Sequence, residues 1–244
     1  MSRMVEKGVF RFKKFSVRHT RSSMKVGVDG VLLGAWGGVE GNIGLDIGTG
    51  CGLIALMAAQ RNPEAEITAI DNHQPSVEEA AENFNEADAA GRLKAFYGNV
   101  LEFGEKEENA GRFDFILSNP PYFDSGIDRP VTAREQARHQ GELTLEKLAT
   151  VAARMLKKGG RFSLIIPFEF RERITLAAAD CGLYPTRICT VADKPGKKPK
   201  RIMVEFEKKS GATCAEELLY LREENGSYSQ AYKSLTDDFY LGLP

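Results

Sequence analysis

The stretch IGLDIGTGCGLIALMAAQR, residues 43–61, has the pattern that decides the fold. It opens with a short apolar run at 43–47, which is typical of a buried strand. Residues 51–61 are rich in good helix formers and predict a helix. A strand that passes through a glycine-rich loop directly into a helix indicates an α/β sheet whose loop can bind a ligand.

The loop between strand and helix contains Gly48, Gly50 and Gly52, which permit a tight turn and a close approach of a ligand to the backbone. Its spacing is GxGxG, because Leu53 stands where a GxGxxG dinucleotide-binding loop has its third glycine. Asp71 ends the second predicted strand, where an acidic side chain can hydrogen-bond a ribose diol. The loop therefore predicts a site for a nucleoside-bearing cofactor, and a purely structural turn is the alternative.

Short apolar runs continue to alternate with helical patterns along the chain. Further strands are predicted at 66–71, 93–97, 112–118 and 161–167, and helices at 74–88, 144–160 and 168–182. The last two predicted strands, 187–193 and 201–209, are joined by a connection too short for a parallel crossover, so we expect them to be antiparallel. The alternation predicts a Rossmann-like α/β fold with a seven-stranded, mostly parallel sheet, an antiparallel final strand and helices on both faces.

Two segments lie outside this alternation. Residues 1–42 form a basic N-terminal arm and a first helix, which we expect to pack on a core domain at 43–244. Within them, MKVGVDGVLLGAW (24–36) predicts a loop that enters a short helix at Asp29, a candidate N-cap. A long polar insertion occupies about 123–143 of the core domain, on the substrate side, and long loops in compact domains are often functional.

Composition excludes several classes of protein. The chain has 244 residues and a net charge of −1, which suits one large α/β domain. No apolar stretch approaches the roughly 20 residues that span a bilayer, and the charged N-terminus lacks the apolar core of a signal peptide. The four cysteines have no CxxC spacing and the three histidines are far apart, so no metal site or disulfide framework is indicated. We expect a cytoplasmic protein that binds no metal and no membrane.

Basic side chains form two groups on this nearly neutral chain, one in the N-terminal arm and one between the last two predicted strands. The candidate contacts to RNA phosphates in these groups are Lys13, Lys14, Arg18, Arg21, Lys197, Lys198 and Lys200. Segregated charge can form a basic face on a neutral molecule. Side chains that are simply solvated are the equally weighted alternative.

The fourth predicted strand stops at Asn119-Pro120-Pro121-Tyr122, because the two prolines lack N–H groups and have a fixed φ. A rigid turn is the simpler explanation, and a pocket for a planar molecule with an NH₂ group is the more specific one. If the Asn119 side-chain oxygen and the Pro120 carbonyl both accept its N–H bonds, the amine nitrogen can pyramidalise and become nucleophilic. Tyr122 can then stack on the ring.

In this order, DIGTGCG (46–52), Asp71 and NPPY (119–122) resemble the class I S-adenosylmethionine-dependent amino-methyltransferases. The resemblance implies S-adenosylmethionine as cofactor and catalysis at the four NPPY positions. Asp71 stands where members of the class often have Glu, and Asn99 stands where Asp is frequent. The cofactor contacts that the resemblance implies are Lys25, Asp29, Asp46, Gly48, Thr49, Gly50, Gly52, Asp71, Asn72, Asn99, Val100 and Asn119.

The segments MKVGVDGVLLGAW, REQARHQ (134–140) and YSQAYKSLTDDFYL (228–241) resemble, more narrowly, the bacterial tRNA1(Val) (adenine-37-N6)-methyltransferase family. The similarity runs from Phe10 to Leu241 and implies methyl transfer to adenine in a tRNA anticodon stem-loop; we expect the enzyme to be a monomer.

Three alternatives stay open at the level of the sequence. NPPY is shared with enzymes that methylate protein glutamine or guanine N2 in rRNA. An NAD(P)-dependent oxidoreductase would need a GxGxxG loop and an acid/base for hydride transfer, and the sequence has neither. An RNA-binding scaffold without catalysis would bind the cofactor without turnover, and the intact NPPY argues against it.

Overall fold

The computed structural model describes residues 7–89, 91–121, 143–209 and 213–242. The predicted insertion at about 123–143 lies, except for Leu143, outside these ranges. Within them, the chain forms a two-stranded hairpin and an eight-stranded sheet that is covered by helices on both faces.

The N-terminal arm begins with a hairpin of two short strands, β1 (Val9–Arg11) and β2 (Ser16–Arg18). This hairpin packs against the C-terminal segment of the chain. The Lys13 backbone N–H donates to the Phe239 carbonyl oxygen at 2.7 Å. The rings of Phe12 and Tyr240 stack with 5.9 Å between their centroids. The N-terminal hairpin and the C-terminal segment around Phe239 and Tyr240 therefore pack together.

The strands of the large sheet are β3 (Ile43–Ile47), β4 (Glu66–Asp71), β5 (Leu93–Tyr97), β6 (Phe113–Ser118), β7 (Leu156–Pro167), β8 (Tyr184–Ala192), β9 (Arg201–Glu207) and β10 (Ala215–Tyr220). Their order across the sheet is β10–β8–β9–β7–β6–β3–β4–β5. Strands β3 to β7 are mutually parallel, and β9 runs antiparallel to both β7 and β8. The predicted mostly parallel sheet with an antiparallel strand is confirmed.

The sheet has one strand more than the predicted seven. The additional strand, β10, lies at the edge of the sheet and pairs parallel to β8, with Ala215 opposite Arg187. Its sequence AEELLY begins with four exposed residues, so it lacks the apolar pattern that predicted the other strands. In the sheet, β10 is separated from β6 by β8, β9 and β7, so the additional strand does not alter the predicted site at the ends of β3 and β6.

The helices in the described ranges are α1 (Val28–Trp36), α2 (Leu53–Arg61), α3 (Gln74–Glu86), α4 (Val100–Glu105), α5 (Leu145–Met155), α6 (Arg171–Asp180) and α7 (Gln230–Thr236). Two 3-10 turns lie at Glu107–Asn109 and Phe168–Phe170. Helices α1, α2, α3 and α7 bury apolar side chains on one face of the sheet, and α4, α5 and α6 do so on the other. The prediction of helices on both faces is confirmed.

The predicted helix 144–160 is shorter than expected. Helix α5 ends at Met155, and Lys157 and Lys158 belong to β7 rather than to a last helical turn. Leu156 pairs with Phe113 of β6, so the sheet recruits the residues that local propensity had assigned to the helix.

Asp29, which the sequence also offered as a candidate N-cap, does not cap α1. The helix begins at Val28, and Gly27 occupies the N-cap position in an extended conformation. Asp29 lies in the first turn, where its side chain makes an ion pair with Arg201 at the start of β9. A long-range partner has therefore replaced the local capping role that the sequence suggested.

The carboxyl ends of β3 and β6 lie side by side at one edge of the sheet, with Ile47 opposite Ser118. The Ser118 hydroxyl donates to the Ile47 carbonyl oxygen at 3.0 Å, which ties the two ends together. β4 and β5 end at the same edge, with Asp71 opposite Tyr97. Ligands of open parallel sheets bind at this edge, so the fold places the predicted site here.

Candidate active site

A cleft of about 250 Å³ lies at the carboxyl edge of the sheet. Its walls are Met24, Lys25 and residues 27–30, the glycine loop with the start of α2, and Asn119 directly after β6. The glycine loop and the NPPY segment, which are far apart in sequence, therefore face the same space. Arg201 completes the wall.

The three glycines of the loop have left-handed backbone conformations, with φ of +72° at Gly48, +55° at Gly50 and +83° at Gly52. Residues with side chains rarely adopt such angles. A Cβ atom on Gly52 would lie 2.5 Å from the Phe84 ring, so this glycine allows α3 to pack closely. A Cβ atom on Gly48 would meet no atom within 4 Å, so this glycine borders open space that a ligand can occupy.

Asp46 lies beneath the loop rather than in the wall of the cleft. Its side chain is fully buried, and its Oδ2 accepts a hydrogen bond of 2.7 Å from the Thr49 hydroxyl. Burial raises the pKa of Asp46 to about 7, although the bond from Thr49 opposes this shift. The pair holds the loop from below, and a direct contact of Asp46 with the cofactor stays a prediction.

Asp71 braces the glycine loop from the neighbouring strand. Its two carboxylate oxygens accept backbone N–H groups from Gly50 and His73, each at 2.9 Å. The carboxylate is half-buried and has lone pairs left, so the predicted bond to a ribose is compatible with this geometry. Asn72, the next residue, is exposed at the same edge.

Asn99 is the N-cap of α4, because its side-chain oxygen accepts the Leu101 N–H at 2.9 Å. Val100 is buried in the first turn of that helix. Both residues follow β5 and lie at the carboxyl edge, outside the wall of the cleft itself. Their predicted contacts with the cofactor stay predictions. The capping role of Asn99 was missed, although asparagine before a helix is its usual signal.

The NPPY segment follows directly from the tied end of β6. Asn119 lines the cleft, Pro120 is buried and Pro121 is exposed. Tyr122 lies outside the described residues, so its role as a stacking platform stays a prediction.

Cys51 also lines the cleft, but burial raises the pKa of its thiol to about 12, so it does not act as a thiolate nucleophile near neutral pH.

Arg201 is a residue of the cleft that the sequence analysis missed. It is the first residue of β9 and lies opposite Pro167, the last residue of β7, which brings it to the carboxyl edge. Its guanidinium Nε contacts the Asp29 carboxylate. In the sequence Arg201 follows a run of lysines and could not be told from them, because its position depends on the register of the sheet.

Comparison with known proteins identifies the family of this chain. The model of the "Methyltransferase small domain" matches residues 33–178. A tRNA1(Val) (adenine(37)-N6)-methyltransferase from Bacteroides thetaiotaomicron is 42% identical over 236 residues, which cover 96% of this chain and 98% of that protein. The chain belongs to the tRNA1(Val) (adenine(37)-N6)-methyltransferase family. A relative of the same name from Histophilus somni is 37% identical and covers 98% of this chain and 100% of its own length.

Membership of this methyltransferase family confirms the resemblance seen in the sequence, and the oxidoreductase and scaffold alternatives are dropped. Solved structures agree on the fold. The crystal structure of a predicted O-methyltransferase from Agrobacterium tumefaciens superposes with a TM-score of 0.70 at 20% identity, covering 86% of this chain and 96% of that one. A geranyl diphosphate C-methyltransferase from Streptomyces coelicolor superposes with a TM-score of 0.52 at 14% identity, covering 69% and 71%.

The two groups of basic side chains differ in their contacts and in their distance along the chain from the cleft. Three of the four predicted contacts in the arm make exposed ion pairs, namely Lys13–Asp237, Arg18–Glu86 and Arg21–Glu82. Such pairs are weak and can be exchanged for phosphate. Lys14 is exposed on the same arm. The second group, Lys197, Lys198 and Lys200, is exposed in the β8–β9 connection, directly before Arg201 at the edge of the cleft.

Neither a metal centre nor a membrane span is found in the part of the chain that the structure describes. Among those residues, no three His, Cys, Asp or Glu side chains are grouped to hold a metal ion. The helices between residues 7 and 242, apart from the undescribed ranges, are too short or too polar to cross a bilayer.

The buried acid beneath the loop leads to a prediction about stability and pH. Because the pKa of Asp46 is about 7 in the folded protein against an ordinary value of 3.8, the folded state binds this proton more tightly than the unfolded chain. The stability that protonation contributes is present below about pH 4 and is lost as the pH rises to about 7. The loss is on the order of 1.4 kcal/mol per unit of pKa shift.

Asp46→Asn removes this titration while keeping an oxygen for the Thr49 hydroxyl. Urea unfolding at about pH 5 and about pH 8 should show the wild type losing stability relative to the variant as the pH rises. A difference in unfolding free energy between wild type and variant that is the same at both pH values would contradict the raised pKa of Asp46.

Proposed function

We propose that this protein transfers a methyl group from S-adenosylmethionine to the exocyclic N6 of adenine 37 in tRNA1(Val). The observation that carries the proposal is the shared cleft, in which Asn119 of NPPY faces the glycine loop in a chain of this family. NPPY by itself left adenine, guanine and glutamine amines open as acceptors. Family membership favours adenine in tRNA.

The residues around the cleft fit the proposed cofactor. Open space beside Gly48 allows a ligand to approach the loop backbone, and Lys25 and Asp29 provide opposite charges in the same wall for an amino-acid group. Asp71 and Asn99 lie at the neighbouring strand ends, where a nucleoside can be hydrogen-bonded. When bound, S-adenosylmethionine supplies an electrophilic methyl group on a positively charged sulfur.

The remaining chemistry concerns the acceptor amine. The nitrogen of adenine N6 is a poor nucleophile because its lone pair is delocalised into the ring. The Asn119 side-chain oxygen and the Pro120 carbonyl oxygen can both accept its N–H bonds, which favours a pyramidal nitrogen with a directed lone pair. Two consecutive prolines restrict the backbone that carries these acceptors, so the site is organised before the substrate binds. No strong base is required, since the amine loses its proton after it has become cationic.

The tRNA must present the adenine outside its stack. Extruding a base costs a few kcal/mol, and less in a single-stranded loop such as that of an anticodon. Tyr122 is the proposed stacking partner of the extruded base. The lysines of the β8–β9 connection are exposed and directly precede Arg201 of the cleft wall, and Arg18 of the arm pairs with Glu86 of α3. Both groups can therefore contact the phosphates of the anticodon stem-loop. We further propose that the enzyme is a cytoplasmic monomer.

Asn119→Ala tests the proposed acceptor site. Loss of one preorganised hydrogen-bonding group should lower the methylation rate by about 10²- to 10³-fold. The dissociation constant for S-adenosylhomocysteine should stay within a few-fold, because the glycine loop is untouched. Methyl transfer from labelled cofactor to tRNA1(Val) transcript and calorimetric titration provide the two measurements.

Asn42→Ala is the matched control, because Asn42 is exposed at the start of β3, on the opposite edge of the sheet. Its activity should equal that of the wild type. Unchanged turnover in Asn119→Ala would remove Asn119 from the mechanism.

The lysines beside the cleft lead to a second prediction. Changing Lys197, Lys198 and Lys200 together to Gln should weaken tRNA binding roughly tenfold and flatten its dependence on salt, because fewer counterions are released. Filter binding over a range of salt concentrations measures both quantities.

The control for this triple variant changes Lys94, Lys158 and Lys209 to Gln. These lysines are exposed away from the cleft, and their replacement alters net charge by the same amount. An equal loss of affinity in both triple variants would show that the effect is one of overall charge.

A further inference from the structure

Residues 22–29, which we call the strap, run across the cleft between two anchors. Met24, Lys25, Gly27, Val28 and Asp29 of the strap line the cleft together with the glycine loop. One anchor is on α3, which follows β4 in the chain. The other is on β9, which is separated from β6 by β7 in the sheet. The strap therefore spans the strands whose ends build the site.

The first anchor is the buried carboxylate of Glu79 on α3. It accepts the Thr20 N–H at 2.7 Å, the Thr20 hydroxyl at 2.8 Å, the Arg21 N–H at 3.0 Å and the Ser22 N–H at 2.8 Å. Burial acts to raise the pKa of Glu79, but these hydrogen bonds together hold it below its ordinary value. The N-terminal end of the strap is thus bound to a charged group that stays ionised.

The second anchor is the ion pair between Asp29 and Arg201. The exposed fractions of the two side chains are 13% and 29%, so the pair is largely shielded from water. Arg201 stands on a rigid support, because the adjacent Lys200 donates its N–H to Val191 at 3.0 Å and accepts that of Phe168 at 3.1 Å. The ion pair therefore fixes Asp29 to β9, a strand that is far from it in the sequence.

Loss of the guanidinium would remove the ion pair that connects Asp29 to the first residue of β9. Without that contact, the first turn of α1 is no longer tied to the sheet at this point, and the backbone beside it can move. Asp29 lies in the first turn of α1, directly after Val28, and itself lines the cleft, so such a movement would shift that wall.

We propose that Arg201 is a positioning residue that acts through Asp29 to hold the strap over the cofactor cleft. This inference rests on the proposed function only in naming the ligand of the cleft as S-adenosylmethionine. Arg201 touches no reacting atom in this account. It sets how tightly the cofactor is bound, and the rate of methyl transfer at saturating cofactor depends on Asn119 and Pro120.

A set of four variants tests this role, namely Arg201→Ala, Arg201→Lys, Asp29→Asn and the double variant Asp29→Asn/Arg201→Ala. Calorimetry with S-adenosylhomocysteine should show affinity about tenfold weaker for Arg201→Ala, a typical size for a coupled pair. Arg201→Lys should recover part of the affinity, because an ammonium keeps the charge but loses the planar donor geometry. The double variant should be no weaker than the weaker single variant, because Arg201 acts on cofactor binding only through Asp29.

Steady-state kinetics with tRNA1(Val) separate positioning from general damage. The KM for S-adenosylmethionine should rise with the dissociation constant, and kcat at saturating cofactor should stay within about threefold. Arg171→Ala is the matched control, because it breaks an exposed ion pair with Glu216 away from the cleft. That control should bind the cofactor like the wild type, and thermal unfolding of every variant checks that it is folded.

Three results would overturn the inference. They are wild-type cofactor affinity in a folded Arg201→Ala, multiplied losses in the double variant, and a rise in the KM for tRNA alone, which would make Arg201 an RNA contact. Failure of the proposed function is distinguishable. A wild type that binds S-adenosylhomocysteine but does not methylate tRNA would refute the acceptor, while a loss of binding in Arg201→Ala would still support the positioning role.

Discussion

The parallel pairing of β3 with β6 is the constraint on which the site depends. Ile47 lies opposite Ser118, and the bond from the Ser118 hydroxyl to the Ile47 carbonyl oxygen fixes the two strand ends together. The residues that follow these ends, Gly48 and Asn119, therefore open onto one cleft. A slip of one residue in this register would turn the side chains of β6 to the opposite face and remove Asn119 from the cleft.

Buried and half-buried carboxylates hold the loops around this cleft. Asp46 accepts from the Thr49 hydroxyl, Asp71 accepts from the Gly50 backbone, and Glu79 accepts from the backbone of residues 20–22. Each bond fixes a loop before a ligand arrives, so ordering costs less when it binds. The acidic residues of the site thus contribute largely by shaping the backbone, which leaves the glycines and Asn119 to face the ligand.

Local pattern was sufficient for the alternating strands and helices, the glycine loop and the position of NPPY, because each depends on short-range periodicity or on proline and glycine. Local pattern failed where contacts between residues far apart in the sequence determine the structure. Leu156 belongs to β7 rather than to a helix because it pairs with Phe113. Asp29 makes an ion pair with Arg201 and does not cap α1. Arg201 could not be recognised, since only the antiparallel register of β9 brings it to the cleft. The edge strand β10 has too few buried residues to show a pattern.

The central claim is that this cleft methylates N6 of adenine 37 in tRNA1(Val). The most direct measurement incubates the purified protein with S-adenosylmethionine and unmodified tRNA1(Val) transcript, followed by nuclease digestion and mass spectrometry of the fragments. The account predicts one N6-methyladenosine, in the fragment that contains position 37, and none in a transcript with guanine at that position. Methyl groups on guanine, on another adenine or only on protein would contradict it.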